Sequence, residues 1–205
     1  MEIKVLCHSS IKFIDKKIIY FDPYKIDQEY KDADYIFISH DHHDHYSVED
    51  INKVANNKTV IIVPRSLEKT VRELKIPALV VDCNREYILE DNIYFETIRA
   101  YTIGRDFHPF RNNWVGYNVT IDNVKYYVAG DSDNTPDNQK VTCDVALLPI
   151  GGKYTMDYKE AADLTNIIKP KKVIPTHYND LIGTKEDAIK FKELVDKNIE
   201  VEIQI

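Results

Sequence analysis

Four of the chain's seven histidines stand within six residues, in Ser39-His40-Asp41-His42-His43-Asp44-His45. They follow the apolar run Tyr35-Ile-Phe-Ile without a break, so a buried strand must end where imidazoles and carboxylates emerge. In an extended chain, residues two apart share a face. His40 and His42 are therefore expected to grip one metal ion side by side, while His43 points elsewhere. Beyond them the chain turns toward a helix, which lets Asp44 and His45 reach a second ion, at about 3.5–4 Å in two-metal hydrolases. Imidazole suits zinc, manganese or iron, a carboxylate adds negative charge, and catalytic sites keep one position open for water. A solvated His-rich loop or a purely structural metal accounts less well for these ligand types at this spacing.

The rest of the chain reads as short strands with a few helices. At 205 residues it fits one domain spanning 1–205. Strands are expected at 3–7, 17–21, 35–39, 59–63, 78–81, 93–100, 115–121, 124–129, 145–148, 172–176 and 199–203, all rich in β-branched or aromatic residues. The dipeptide Asp122-Asn123 between two alternating runs signals a hairpin. Apolar residues at three and four spacing predict helices over 48–55, 66–74, 157–168 and 185–196. Asp157 with Glu160 offers a capped helix start, and Pro170 closes that helix. Many strands with helices at several points in the order suit an α/β sheet sandwich covered by helices on its outer faces.

Composition narrows the partners. No run of eighteen apolar residues could span a bilayer, and Met1-Glu-Ile-Lys-Val-Leu-Cys alternates like a strand rather than a secretory signal. The expected compartment is the cytoplasm, with no membrane partner. A net charge of −7 with scattered basic residues disfavours nucleic acid. Cys7, Cys83 and Cys143 are odd in number and far apart, which supports neither a disulfide framework nor a CxxC site; buried reduced thiols are expected.

The motif HxHxDH, filled by His40, His42, Asp44 and His45, resembles the signature of the metallo-β-lactamase superfamily. Ile19-Ile-Tyr-Phe-Asp22-Pro23 looks like the strand and Asp preceding that signature, Gly130-Asp131-Ser132 like the later motif whose Asp bridges two metals, and Val173-Ile-Pro-Thr-His177-Tyr178 like the final motif. His8-Ser9-Ser10, Phe107-His108-Pro109 before Trp114-Val-Gly-Tyr, and Leu148-Pro-Ile-Gly-Gly-Lys-Tyr-Thr-Met are similar to the ascorbate-6-phosphate lactonase-like subgroup. The resemblance implies a four-layered αββα sandwich, two mixed β-sheets flanked by helices. It implies one or two Zn2+ ions, with Mn2+ or Fe2+ sharing these ligands, held by His40, His42, Asp44, His45, His108, Asp131 and His177. Read alone, Gly130-Asp131 is a common turn and His177 an ordinary core histidine. His108 stands eight residues past Ala100, so its loop must fold back; otherwise that ligand is lost, or a single ion is bound.

Other residues are expected to support the site. His8 is read as standing behind the ligands or on the pocket rim, or as a surface turn. Asp22 is expected to be buried and to hold the metal loop by hydrogen bonds, or simply to begin an Asp-Pro turn. Tyr154, with Thr155 and Met156, is a candidate for the substrate cleft, though capping alone explains Thr and Asp there. Tyr178, Trp114 and Arg105 are candidates for the pocket wall by their closeness in sequence to ligands, with no assigned role. The implied reaction is hydrolysis of a small ester, lactone or related molecule by metal-activated hydroxide, with Asp44 or Asp131 as the catalytic carboxylate. A phosphodiesterase or nuclease of the same fold is the alternative enzyme, and a non-catalytic metal-binding protein the alternative of another class.

Overall fold

A computed structural model describes all residues, Met1–Ile205. The chain divides into two compact units, Met1–Asp82 and Cys83–Ile205, each built on its own sheet.

The first unit carries β1 (Glu2–Cys7), β2 (Ser10–Ile14), β3 (Ile18–Phe21), β4 (Ala33–Phe37), β5 (Ala55–Pro64) and β6 (Ala78–Val81) in one sheet, in that spatial order. The pairs β1–β2 and β2–β3 are antiparallel; β3–β4, β4–β5 and β5–β6 are parallel. The helix α1 (Val48–Val54) lies in the chain between β4 and β5. Its Ser47 cap oxygen accepts the Asp50 amide, with Glu49 and Asp50 in the first turn and Lys53 in the last, charges that oppose the helix dipole. Ile51 and Val54 of α1 pack with Tyr20, Ile36, Ile38, Ile61 and Val63. That burial is why the parallel strands read as nearly continuous apolar runs.

The second unit carries β7 (Glu86–Ile88), β8 (Tyr94–Ala100), β9 (Trp114–Ile121), β10 (Val124–Val128), β11 (Val145–Pro149), β12 (Lys172–Thr176) and β13 (Glu200–Val201). Here too neighbours follow chain order, antiparallel from β7 to β10 and parallel from β10 to β13. The β9–β10 hairpin turns at Asp122 and Asn123, with φ of 48° and 63°, the two left-handed residues such a turn demands. The helices α2 (Tyr158–Ile168) and α3 (Lys185–Leu194) each begin with a reciprocal capping box, Asp157 with Glu160 and Thr184 with Asp187. Leu164 and Phe191 pack with Tyr127, Ala146, Leu148, Met156, Val173 and Tyr178.

Several expectations need correction. Residues 66–74 form two short 3-10 turns, Arg65–Leu67 and Thr70–Leu74: neither start has the side-chain cap that α1 has in Ser47, and Lys75 at φ 55° ends the segment. Two strands went unforeseen. In β2, Lys12 sits inside a buried run and masks it, its charge paired with Asp32 at 2.6 Å; β7 is a three-residue edge. The chain enters β5 at Ala55 rather than Thr59, and the last strand shrinks to Glu200–Val201. No helix is long and apolar enough to cross a membrane.

In both units the candidate ligands follow the carboxyl ends of strands. Asp22 follows β3 and His40 follows β4; Asp131 follows β10 and His177 follows β12.

Candidate metal centre

In the first unit, Asp22 organises the histidines. It is 2% exposed. Its Oδ1 accepts the Ser39 amide at 2.7 Å, and its Oδ2 accepts the Ser39 hydroxyl at 2.6 Å and His45 Nδ1 at 2.7 Å. With its proton committed to Asp22, Ser39 Oγ accepts from His40 Nδ1 at 2.9 Å. A carboxylate and a hydroxyl oxygen thus hold the protons of His45 and His40 on Nδ1, and both Nε2 atoms present a lone pair, the form that binds metal. His40 Nε2 lies 3.0 Å from His42 Nδ1. Asp44 Oδ2 lies 3.3 Å from His8 Nε2 and 3.6 Å from His45 Nε2. The His43 side chain is 78% exposed; the chain expected to be extended here instead bends at 41–42 and turns over 43–45, with the His45 and Tyr46 amides bonded to the His42 carbonyl.

The second unit gathers His108, Asp131 and His177. Asp131 Oδ2 lies 3.1 Å from His108 Nε2 and 3.0 Å from His177 Nε2, and all three residues are at most 3% exposed. The Tyr154 carbonyl, 3.1 Å from His108 Nδ1, can only accept, so it too fixes the tautomer that offers Nε2. The loop does fold back: the Thr102 amide donates to the His108 carbonyl at 2.9 Å. Trp114 packs edge-on against the His108 ring at 5.5 Å.

These donor sets fit a divalent ion. Two ligands about 2.0–2.1 Å from a tetrahedral zinc lie about 3.3–3.4 Å apart, and the donor separations within each unit run from 3.0 to 3.6 Å. The backbone is held in unusual conformations to achieve this. His8, Asp22 and His177 have φ of 54°, 44° and 57°, a left-handed region that costs an L-residue of order 1 kcal/mol. His177 also depends on a glycine: a Cβ on Gly151 would lie 2.2 Å from the His177 carbonyl oxygen.

The remaining expectations divide. His8 is 1% exposed, so it is not a surface turn. Tyr178 is not at a pocket wall: its ring is buried in the core of the second unit, and its hydroxyl donates to the Ile205 carbonyl at 2.6 Å. Met156 likewise belongs to that core, and Thr155 is fully buried. Tyr154 is half-buried, its ring edge-on to Phe107 at 4.5 Å. Of the cysteines only Cys143 is buried, and burial pushes its thiol up to about 12. Sequence reasoning did not foresee Ser39, although it opens the histidine run, nor Asp133, two residues past Asp131. Asp133 and Glu160 both pair with Arg105. Burial alone would lower the Arg105 pKa; the two carboxylates outweigh it and hold the guanidinium above its ordinary value.

Residues 2–177 match the β-lactamase superfamily domain, and the chain belongs to that family. A UPF0173 metal-dependent hydrolase of Pyrococcus horikoshii is 30% identical over 217 residues, covering 99% of this chain and 96% of the relative. A Parabacteroides distasonis protein described as a candidate metal-dependent hydrolase superposes with a TM-score of 0.82 at 29% identity, over 98% of this chain and 91% of that one. A metallo-β-lactamase fold protein of Bacillus subtilis gives a TM-score of 0.74 at 13% identity, over 96% and 88% of the two chains, a likeness of fold alone. The fold is that of the metallo-β-lactamases, and the class is that of the superfamily's metal-dependent hydrolases.

Proposed function

We propose that His40, His42, Asp44, His45, His108, Asp131 and His177 serve as ligands for one or two divalent ions, and that residues 1–205 act as a single domain on a small ester, lactone or related substrate. The observation that carries this reading is the Asp131 carboxylate oxygen, set 3.1 and 3.0 Å from two imidazole nitrogens. Zinc suits the imidazole-rich set best, with manganese or iron next. An ion bound by these donors would supply Lewis acidity to a substrate oxygen and lower the pKa of water toward neutrality.

The protein's own part is orientation and proton transfer. Asp22 keeps His45 in the ligating tautomer directly and His40 through Ser39, and the Tyr154 carbonyl does so for His108. Asp44 or Asp131 accepts a hydrogen bond from the attacking water. In the hydrolysis the water oxygen bonds to the acyl carbon, the acyl–oxygen bond breaks, and the proton taken from water passes to the leaving oxygen. The net charge of −7 favours a small substrate over a polyanion. No cysteine is paired with another, which suits a reducing cytoplasm.

The test is turnover of nitrophenyl esters, lactones and bis-nitrophenyl phosphate by the purified chain, with and without chelator. Chelator-sensitive hydrolysis of esters or lactones supports the reading. Hydrolysis of the phosphodiester alone replaces the substrate class, and no metal-dependent turnover of any of them counts against an enzyme.

A further inference from the structure

His108 reaches the metal centre from a loop, eight residues beyond the end of β8 at Ala100. The loop closes on its own backbone, with the Thr102 amide 2.9 Å from the His108 carbonyl and the Thr102 hydroxyl 3.2 Å from the Arg105 carbonyl. A closed loop still needs fastening, and Arg105 provides it. Its Nη1 pairs with Asp133 Oδ1, and its Nη2 lies 2.8 Å from Glu160 Oε2.

Each partner is tied to something that decides where His108 points. Asp133 stands two residues past Asp131, and its second oxygen accepts the Ile103 amide at 2.7 Å, so it holds both the Asp131 turn and the start of the loop. Glu160 Oε2 also accepts the Asp157 amide at 2.9 Å, closing the capping box just after Tyr154, whose carbonyl orients the His108 ring. The loop, the Asp131 turn and the segment entering α2 therefore meet at one guanidinium. The Arg105 and Asp133 side chains are 25% and 6% exposed, so solvent screens this pair only partly. A planar fork can serve two carboxylates at once; a lysine ammonium is a single point charge.

We propose that Arg105 is a positioning residue, setting the His108 imidazole against Asp131 by clamping its loop to Asp133 and Glu160. This rests on the metal-centre reading above.

The test is Zn2+ affinity of the full chain, read by competition with a chromophoric chelator, for wild type, R105A, R105K, E160Q, H108A and R105A/H108A, with the melting temperature of each metal-free protein measured alongside. R105A is expected to weaken zinc binding about 10- to 100-fold, the usual effect of removing a group that orients a ligand. R105K should recover part of that, and E160Q, which keeps an oxygen for the cap, should lose less. Because Arg105 acts through His108, the double variant should bind no more weakly than H108A. Wild-type affinity in R105A overturns the proposal, as does a full repeat of its loss in the H108A background, which would mark a general effect on the fold. If R105A does not fold, E160Q and R105K carry the same comparison. Wild-type affinity in H108A itself would instead overturn the ligand set, and the proposal with it.

Discussion

Replacing Gly151 by alanine puts one methyl group where the structure leaves no room. The added Cβ would lie 2.2 Å from the His177 carbonyl oxygen and 2.7 and 2.8 Å from two Ile182 side-chain carbons. Ile182 can turn aside, but the backbone oxygen can reach an unstrained separation of about 3.5 Å only if one backbone segment shifts by more than about 1 Å. His177 has little slack, since its own φ is 57° and its Nε2 stands 3.0 Å from Asp131. A misplacement of about 1 Å in a reacting site can cost about 100-fold in rate, and overpacking costs about 1–3 kcal/mol of stability. G151A is therefore expected to lower kcat/KM about 100-fold and to weaken zinc binding, while the metal-free protein melts several degrees lower. Turnover with saturating zinc, chelator competition and a thermal melt read the three effects separately. Wild-type turnover and zinc affinity in G151A would refute the link between this close approach and the placement of His177.

Asp22→Asn keeps the shape of the side chain but removes one of its acceptors, so the proton on His45 Nδ1 loses its carboxylate; zinc affinity should fall about 10- to 100-fold, as chelator competition would show. His43→Ala should leave metal content and affinity unchanged by the same assay, since that side chain is 78% exposed. Asp50 is the anchor of the first unit: it accepts the Lys25 and Ile26 amides, each at 3.0 Å, and the Ser47 hydroxyl at 2.8 Å. Burial alone would raise its pKa, but these bonds and Lys53 outweigh it and hold the carboxyl below its ordinary value. The stability it contributes is present above the unfolded pKa of about 3.9 and is lost as pH falls through the lower folded value. Asp50→Ala should cost roughly 2–3 kcal/mol at neutral pH, and urea melts should show the gap to wild type closing on acidification below pH 4.

The site was legible wherever local spacing determines geometry. His40 Nε2 and His42 Nδ1 do come within 3.0 Å of each other while His43 is exposed, but a bend and turn over 41–45 set this arrangement rather than strand alternation. Asp131 and His177 are placed at strand ends that an apolar run followed by Gly130 or Thr176 marks out. What was not legible depends on contacts distant in sequence. The burial of Asp22 and its hold on the metal loop are expected from the sequence, but its particular partners, Ser39 and His45, are 17 and 23 positions away. Arg105 finds its second partner 55 positions on, at Glu160. His8 in sequence looks the same whether its turn faces water or is buried at φ 54°, and Tyr178, beside a ligand in sequence, faces the core instead. In the fold, the helix capped by Asp157 and the Asp122-Asn123 hairpin followed from local chemistry. The buried Lys12 in β2 reflects its pairing with Asp32, 20 positions on, which periodicity does not encode.

The central claim is that His40 and Asp131 both belong to the ligand set proposed for the metal. Its most direct test is the number of metal ions retained per chain, by elemental analysis after purification without chelator, in wild type, H40A and D131A. The account predicts one or two ions in the wild type and a reduced count in each variant. A metal-free wild type, or an unchanged count in either variant, would contradict it.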